Sequence, residues 1–164
     1  MMIRRIAFLG LIWVSLLSEA KEQRLNMSLE WFHENYHQIE NVLSQKSSFE
    51  LVPVASTLTE IWLRRDGGLT AEVSQPIVVA LIYHPNVMLP MLVEHPKSFS
   101  RWLDDLDGVV FTDYSGEQYE ELTHLHLSLE QSMENYIGSG DLPYKAEAQE
   151  ILKIVKATKV REID

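Results

Sequence analysis

Between Gln75 and Pro96 the chain reads Gln-Pro-Ile-Val-Val-Ala-Leu-Ile-Tyr-His-Pro-Asn-Val-Met-Leu-Pro-Met-Leu-Val-Glu-His-Pro. No side chain from Ile77 to Tyr83 is charged, and from Val87 to Val93 only Pro90 interrupts an apolar run. Neither run approaches the roughly 20 residues that a bilayer span requires. Segments that are apolar on every side must be enclosed by other elements, so this stretch is expected to lie at the centre of the core. The rest of the chain has to supply what covers it.

Those covering elements read as helices. From Ser28, the residues Leu29, Phe32, Tyr36, Ile39 and Leu43 recur at spacings of three and four, the helical period, after a short polar lead-in over 21–27. Ser47-Ser-Phe-Glu50 offers a capping box to a second stripe of Leu51, Val54, Leu58, Ile61 and Trp62. Pro53 suits the first turn of that helix, and Arg64-Arg65-Asp66-Gly67-Gly68 suits its end. Ser74-Gln75-Pro76 reads as another helix start, which should run to His84, because Pro85 disfavours helical geometry at the residue before it. Asn86 is then the expected cap of a helix from Val87 to about His95. A third short helix over Lys97–Leu106 turns Phe99, Trp102, Leu103 and Leu106 to one side.

Three short helices in succession resemble the hairpins of HEAT or armadillo solenoids, although no sustained internal period accompanies them. Gly108–Thr112 reads as a short extended piece, and Asp113-Tyr-Ser-Gly116 as a turn. Ser115 and Gln118 repeat the capping-box pattern before the clearest stripe in the chain: Leu122, Leu125, Leu129, Met133 and Tyr136. Gly138-Ser139-Gly140 ends it. A final helix opens at Asp141-Leu-Pro143, with Ala148, Ile151, Leu152 and Val155 inward and Lys153, Lys156, Lys159 and Arg161 toward its negative end. The expected fold is a single all-α, irregular bundle of about six or seven helices over 21–164.

The first 20 residues carry a different signal. Met-Met-Ile-Arg-Arg gives a basic start, Ile6–Leu17 an apolar segment, and Ser18-Glu19-Ala20 small residues at −3 and −1 of a cut. That is the pattern of a secretory leader, so export to the periplasm or medium is expected, with cleavage after Ala20 and no stable membrane insertion afterwards. The whole chain has 14 basic and 24 acidic residues, a net charge of −10, and loss of the leader makes it more negative. Such a surface repels phosphate backbones and anionic lipid heads and attracts basic proteins. Nucleic acid is therefore an unfavourable partner. With no cysteine, disulfides, thiol catalysis and thiolate metal sites are excluded.

His33-Glu34-Asn35-Tyr36-His37 matches H-E-x-x-H and over these five residues resembles zinc peptidases. The resemblance implies that His33 and His37 would hold zinc while Glu34 activates water. Three features oppose it. At about 100° per residue, both histidines fall at or beyond the edge of the apolar stripe. Glu40 and Leu43 stand where the extended motif wants glycine and a third histidine. Only about a dozen residues lie between the leader and the motif, too few for a preceding sheet. His124 and His126 diverge by about 200° on a helix and cannot share an ion. His126 falls beside Leu122, Leu129 and Met133, whereas His124 should be exposed.

An EF-hand count from Asp105 also fails, since Val109 and Gly116 occupy the fifth and twelfth positions. Trp31, Trp62 and Trp102 lie on helical faces and suit packing. The remaining candidate is an electronegative patch of Asp104, Asp105, Asp107 and Asp113 beside Trp102, Phe111 and Tyr114, aromatics within a charged rim. The sequence therefore points to a non-catalytic binding domain of the cell envelope that needs no cofactor and takes a basic protein partner. An inhibitor or immunity protein against a basic secreted enzyme is the sharper form. An envelope adaptor or assembly factor, and a zinc-dependent hydrolase using His33, Glu34 and His37, are the alternatives.

Overall fold

The computed structural model describes residues 23, 24, 26–64 and 70–163. The leader and residues 65–68 of the anticipated helix end lie outside them. Chain contacts divide the protein into two compact units with a boundary after Tyr36.

In the first unit residues 26–34 are helical (α1), as are residues 23 and 24. The stripe expected as one helix is broken at Asn35, which adopts a turn. Its backbone N–H and its side-chain Nδ2 both donate to the Trp31 carbonyl, at 3.0 and 2.9 Å. A short amide that competes for a backbone acceptor is a known helix-ender. The Phe32 ring meets Tyr36 edge-on, with centroids 5.5 Å apart.

Helices dominate the second unit, the all-α class that the stripes predict. In order they are α2 (Tyr36–Ser44, entering from the boundary residue), α3 (Leu51–Arg64), α4 (Thr70–Tyr83), α5 (Pro85–Val93) and α6 (Pro96–Asp105). A π-helical turn (Leu106–Val110) and a two-residue strand β1 (Thr112–Asp113) lead to α7 (Tyr119–Gly138), α8 (Lys145–Ala157) and a second short strand β2 (Arg161–Glu162). The strands pair in parallel, Thr112 opposite Arg161 and Asp113 opposite Glu162. The piece expected as extended is thus mostly a wound turn, with only its last residue in a strand.

The apolar stretch does occupy the centre. On α4, Val73, Pro76, Ile77, Val78, Ala80 and Leu81 are all buried, and the helix packs against α3, α5 and α7. It begins at Thr70, earlier than the Ser74-Gln75-Pro76 signal suggests, so Pro76 is interior. Such a proline removes one backbone hydrogen bond and costs about 3 kcal/mol. Burying Val73, Ile77 and Leu81 at about 1.5–3 kcal/mol each outweighs that local penalty.

His84 and His95 perform the same backbone task twice. The His84 carbonyl accepts from Val87 and Met88 at 2.9 and 3.1 Å, and the His95 carbonyl from Ser98 and Phe99, both at 2.9 Å. The following proline takes the first helical position each time, where its missing N–H is harmless. Asn86 is therefore inside α5 and not its cap. At α3 the serine that acts is Ser48, whose Oγ accepts from the Glu50 N–H at 3.2 Å.

Pro85 has a further consequence. In a continuing helix the Leu81 carbonyl would accept from residue 85, which here has no N–H. Ser132 on α7 supplies the donor: its hydroxyl lies 3.1 Å from the Leu81 carbonyl and 2.9 Å from that of Ile82. The end of α4 is thereby tied to the middle of α7. At the far end of α7, the buried Tyr136 hydroxyl donates to the Pro143 carbonyl at 2.6 Å and holds the connection to α8. Burial, together with Tyr144 and Glu147, pushes this phenol above its ordinary value.

Leu81 is fully buried, and Leu81→Ala should cost about 2–5 kcal/mol, read as a lower urea midpoint with an unchanged slope. Ser132→Ala should cost about 1 kcal/mol by leaving two carbonyls without their donor. A neutral outcome for Ser132→Ala would show that water replaces the hydroxyl.

Candidate functional site

The residues expected to form an acidic, aromatic patch separate into two groups. Trp102, Phe111 and Asp113 are buried, at 0%, 1% and 0% exposure, and have no surface to offer a partner. Both aromatic rings are core because α6 and the π-turn present them inward beside Phe99, Leu103, Leu106 and Val110. Asp104, Asp107 and Tyr114 are exposed, and Asp105 is half-buried. Asp107 is engaged by Arg161, whose Nη2 is 3.2 Å from its Oδ1.

Asp113 is the organising residue of the loop into α7. Its Oδ1 accepts from the Ser115 N–H (2.9 Å), the Ser115 hydroxyl (2.9 Å) and the Gly116 N–H (2.8 Å), and Oδ2 accepts from the Gln118 N–H (2.8 Å). Burial pushes this carboxyl up, but the four donors more than offset it, and the group lies below its ordinary value. Gly116 adopts a φ of +74°, a left-handed geometry that favours glycine. The anticipated Ser115–Gln118 capping box is not formed. Asp113, two residues before Ser115, instead takes the Gln118 amide at the cap position of α7, together with the Ser115 and Gly116 amides of the loop.

Beside Tyr114, which the sequence already marks, this fixed loop and the first turn of α7 carry further exposed residues. Tyr114 is 58% and Tyr119 46% exposed, and Glu117, Glu120 and Glu121 are exposed with them. The available signal was the alternation Tyr114, Glu117, Tyr119, Glu120 on either side of a turn. It was obscured because Asp113 looks, in sequence, like one more surface acid.

The histidines fall elsewhere. His33 belongs to the first unit and His37 to the second. Both are exposed, and His37 Nδ1 lies 3.6 Å from Glu40. Among the described residues no group of three histidines or carboxylates is placed to hold a metal ion. His124 is exposed. His126 donates from Nε2 to the Val155 carbonyl at 2.8 Å and meets the Phe111 ring edge-on at 4.9 Å, the packed role its helical position implies.

A second feature is an open trough of about 780 Å³ between α7 and the α4–α5 junction. Ile82, Tyr83, Pro85 and Asn86 form one wall; Leu127, Gln131 and Asn135 belong to the other. A smaller hollow of about 230 Å³ shares Ile82, Tyr83, His124 and Ser128 with it and reaches Glu40. Among the described residues, no aspartate, glutamate, lysine or arginine lines the larger trough.

A lowered carboxyl pKa supports the fold above the unfolded-state value, and that support is lost as pH falls through the folded one. Acidification below about pH 4 should therefore loosen the loop and lower the melting temperature. Asp113→Asn should melt lower at neutral pH and lose less on acidification than the parent chain; identical acid losses would assign the sensitivity to other groups. No protein-family model matches this chain, and neither a curated protein nor a solved structure is detectably similar to it, so its function has to be argued from these surfaces.

Proposed function

We propose that this is an exported, non-catalytic binding protein of the cell envelope that captures a basic protein partner. In its sharper form it is a stoichiometric inhibitor or immunity protein against a basic secreted enzyme, such as a cell-wall hydrolase. The observation that carries the reading is the loop held by Asp113 and the first turn of α7 that follows it, where Tyr114 and Tyr119 are exposed with Glu117, Glu120 and Glu121.

Tyrosine brings large contact area at low entropic cost, and a loop already fixed by four hydrogen bonds has little order left to lose on binding. The net charge of −10 adds long-range attraction for a cation-rich partner and raises its rate of encounter. Asp104 and Asp107 are the exposed members of the original acidic set that extend this character. The leader-like sequence over 1–20 supports the location.

Capture from envelope extract at low and high salt tests the reading. A basic partner should be retained at low salt and released at high salt. Replacing Glu117, Glu120 and Glu121 by glutamine should slow association, whereas Tyr119→Ala should weaken the complex about tenfold or more through faster dissociation. A neutral partner held equally at both salt levels, and indifferent to these changes, would overturn the proposal.

A further inference from the structure

We propose that the trough between α7 and the α4–α5 junction is a binding site for an uncharged oligosaccharide. The site stands apart from the docking loop and does not depend on that loop's role.

Its first mark is the charge pattern of α7. Within that helix, His124, Leu127, Ser128, Gln131, Ser132, Asn135 and Tyr136 line the trough, one flank about 18 Å long at 1.5 Å per residue. The charged residues in the same span are turned away from it. Glu130 and Glu134 reach Lys156 on α8, at 3.7 and 2.6 Å. In a chain that is 23% charged, a solvated helix flank without a formal charge for this length is not the cheapest way to be soluble. It is what an uncharged ligand needs, because a desolvated carboxylate or ammonium without a counter-charge is costly. Anionic sugars are disfavoured in addition by the overall charge.

The second mark is the kind of polar group present. Asn86, Gln131 and Asn135 are exposed primary amides, each with a carbonyl acceptor and an NH₂ donor. A sugar hydroxyl is itself both donor and acceptor, so a planar amide pairs with neighbouring hydroxyls in either sense. Gln131 Nε2 donates to Asn135 Oδ1 at 3.2 Å. That bond orients the two amides while using neither the Gln131 carbonyl nor the Asn135 NH₂. Ser128 adds a hydroxyl at the edge of the row. Ser132 is occupied by the α4 carbonyls and acts as scaffold.

The third mark is Tyr83. It is 54% exposed at the end of α4 and lines both the trough and the smaller hollow. A half-exposed aromatic next to amides offers a flat apolar face to the C–H side of a pyranose, while its hydroxyl stays wet. Leu127, 58% exposed, contributes apolar surface on the opposite wall. A volume of about 780 Å³ lies within the range of small-ligand clefts and is open enough for a chain to pass through. An extended peptide would seek unpaired backbone groups or a continuous apolar channel. The walls here are mostly helical, the two α4 carbonyls that Pro85 leaves without a donor are taken by Ser132, and the apolar residues are interrupted by amides.

The test is titration of the full chain with neutral trisaccharides (chitotriose, cellotriose and maltotriose) and with trialanine blocked at both ends, followed by ligand-observed NMR and calorimetry. At least one trisaccharide should saturate with a dissociation constant of roughly 0.1–10 mM, and with the same value at low and high salt. Tyr83→Ala should weaken it about tenfold or more, Tyr83→Phe should retain it, and the pair Gln131→Ala with Asn135→Ala should weaken it severalfold. Lys153→Gln, at an exposed position that does not line the trough, should leave it unchanged. Should Tyr83→Ala prove unstable in a thermal melt, the exposed amide pair decides the matter. The proposal is overturned if no trisaccharide saturates by about 10 mM, if the Tyr83 and amide variants bind as the parent does, or if blocked trialanine occupies the trough in place of sugar.

Discussion

A helix with almost no polar face is what this structure is built to enclose. From Val73 to Leu81, α4 buries side chains in nearly every direction, so one amphipathic neighbour could not cover it. It is covered by α3, α5 and α7 together, and their stripes exist because α4 needs partners around its circumference. The short helices on either side of His84 and His95 follow from the same need. Proline after each histidine stops one helix and starts the next at the first position, which lets a nearly continuous apolar sequence turn back over its own core. The cost falls on carbonyls that lose their i+4 donors, and Ser132 meets part of it from another helix. Enclosure and reconnection are thus one problem, solved jointly by α4 and α7.

At the entry to α7 the controlling interaction is electrostatic. A carboxylate withdrawn fully from water is tolerated only when its oxygens are saturated, and Asp113 receives four donors from the five residues that follow it. One of these bonds satisfies the Gln118 amide at the cap position of α7, which would otherwise lack a partner. Meanwhile its backbone carbonyl accepts from the Ile163 N–H at 3.2 Å, so the segment after α8 is fastened to the same residue. One aspartate therefore fixes a loop, a helix terminus and a parallel strand pair. The loop's tyrosines are held without being packed.

The sequence carried the class of fold through its stripes, and it carried the helix boundaries wherever proline enforced them. Ile39, Leu43, Leu58, Trp62, Leu103, Leu129, Met133, Ile151 and Val155 are buried as their spacing requires. It did not carry features in which tertiary burial overrides local preference. Pro76 looks like a helix start because a proline costs less there, and only the buried neighbours of α4 make its interior position affordable. Asn35 divides a well-formed stripe through its side-chain amide, which periodicity does not register. Trp102, Phe111 and Asp113 read as surface because they lie among acids along the chain. Trp102 falls on the inward stripe of α6, whereas the direction of Phe111 and Asp113 follows from the π-turn and from the β1–β2 pairing, the latter made with residues remote in sequence. The trough is illegible for the opposite reason: its signature is the absence of charge along one flank of α7, which no single neutral residue carries.

The three faces of α7 separate what the protein needs for stability from what is left for recognition. Leu122, Leu129 and Met133 are spent on the core, and Glu130 and Glu134 on Lys156 of α8. Glu120 and Glu121 in the first turn are favourable with the helix dipole whether or not anything binds there, so their charge alone does not argue for a partner. Tyr114 and Tyr119 are different, because the dipole gains nothing from them and exposed rings give up burial they could have had. The same reasoning separates Ser132, which repairs α4, from Gln131 and Asn135, which pair with each other on an exposed flank and repair nothing. Residues whose position stability does not explain, on supports that stability fixes firmly, are where recognition has to be sought in this chain.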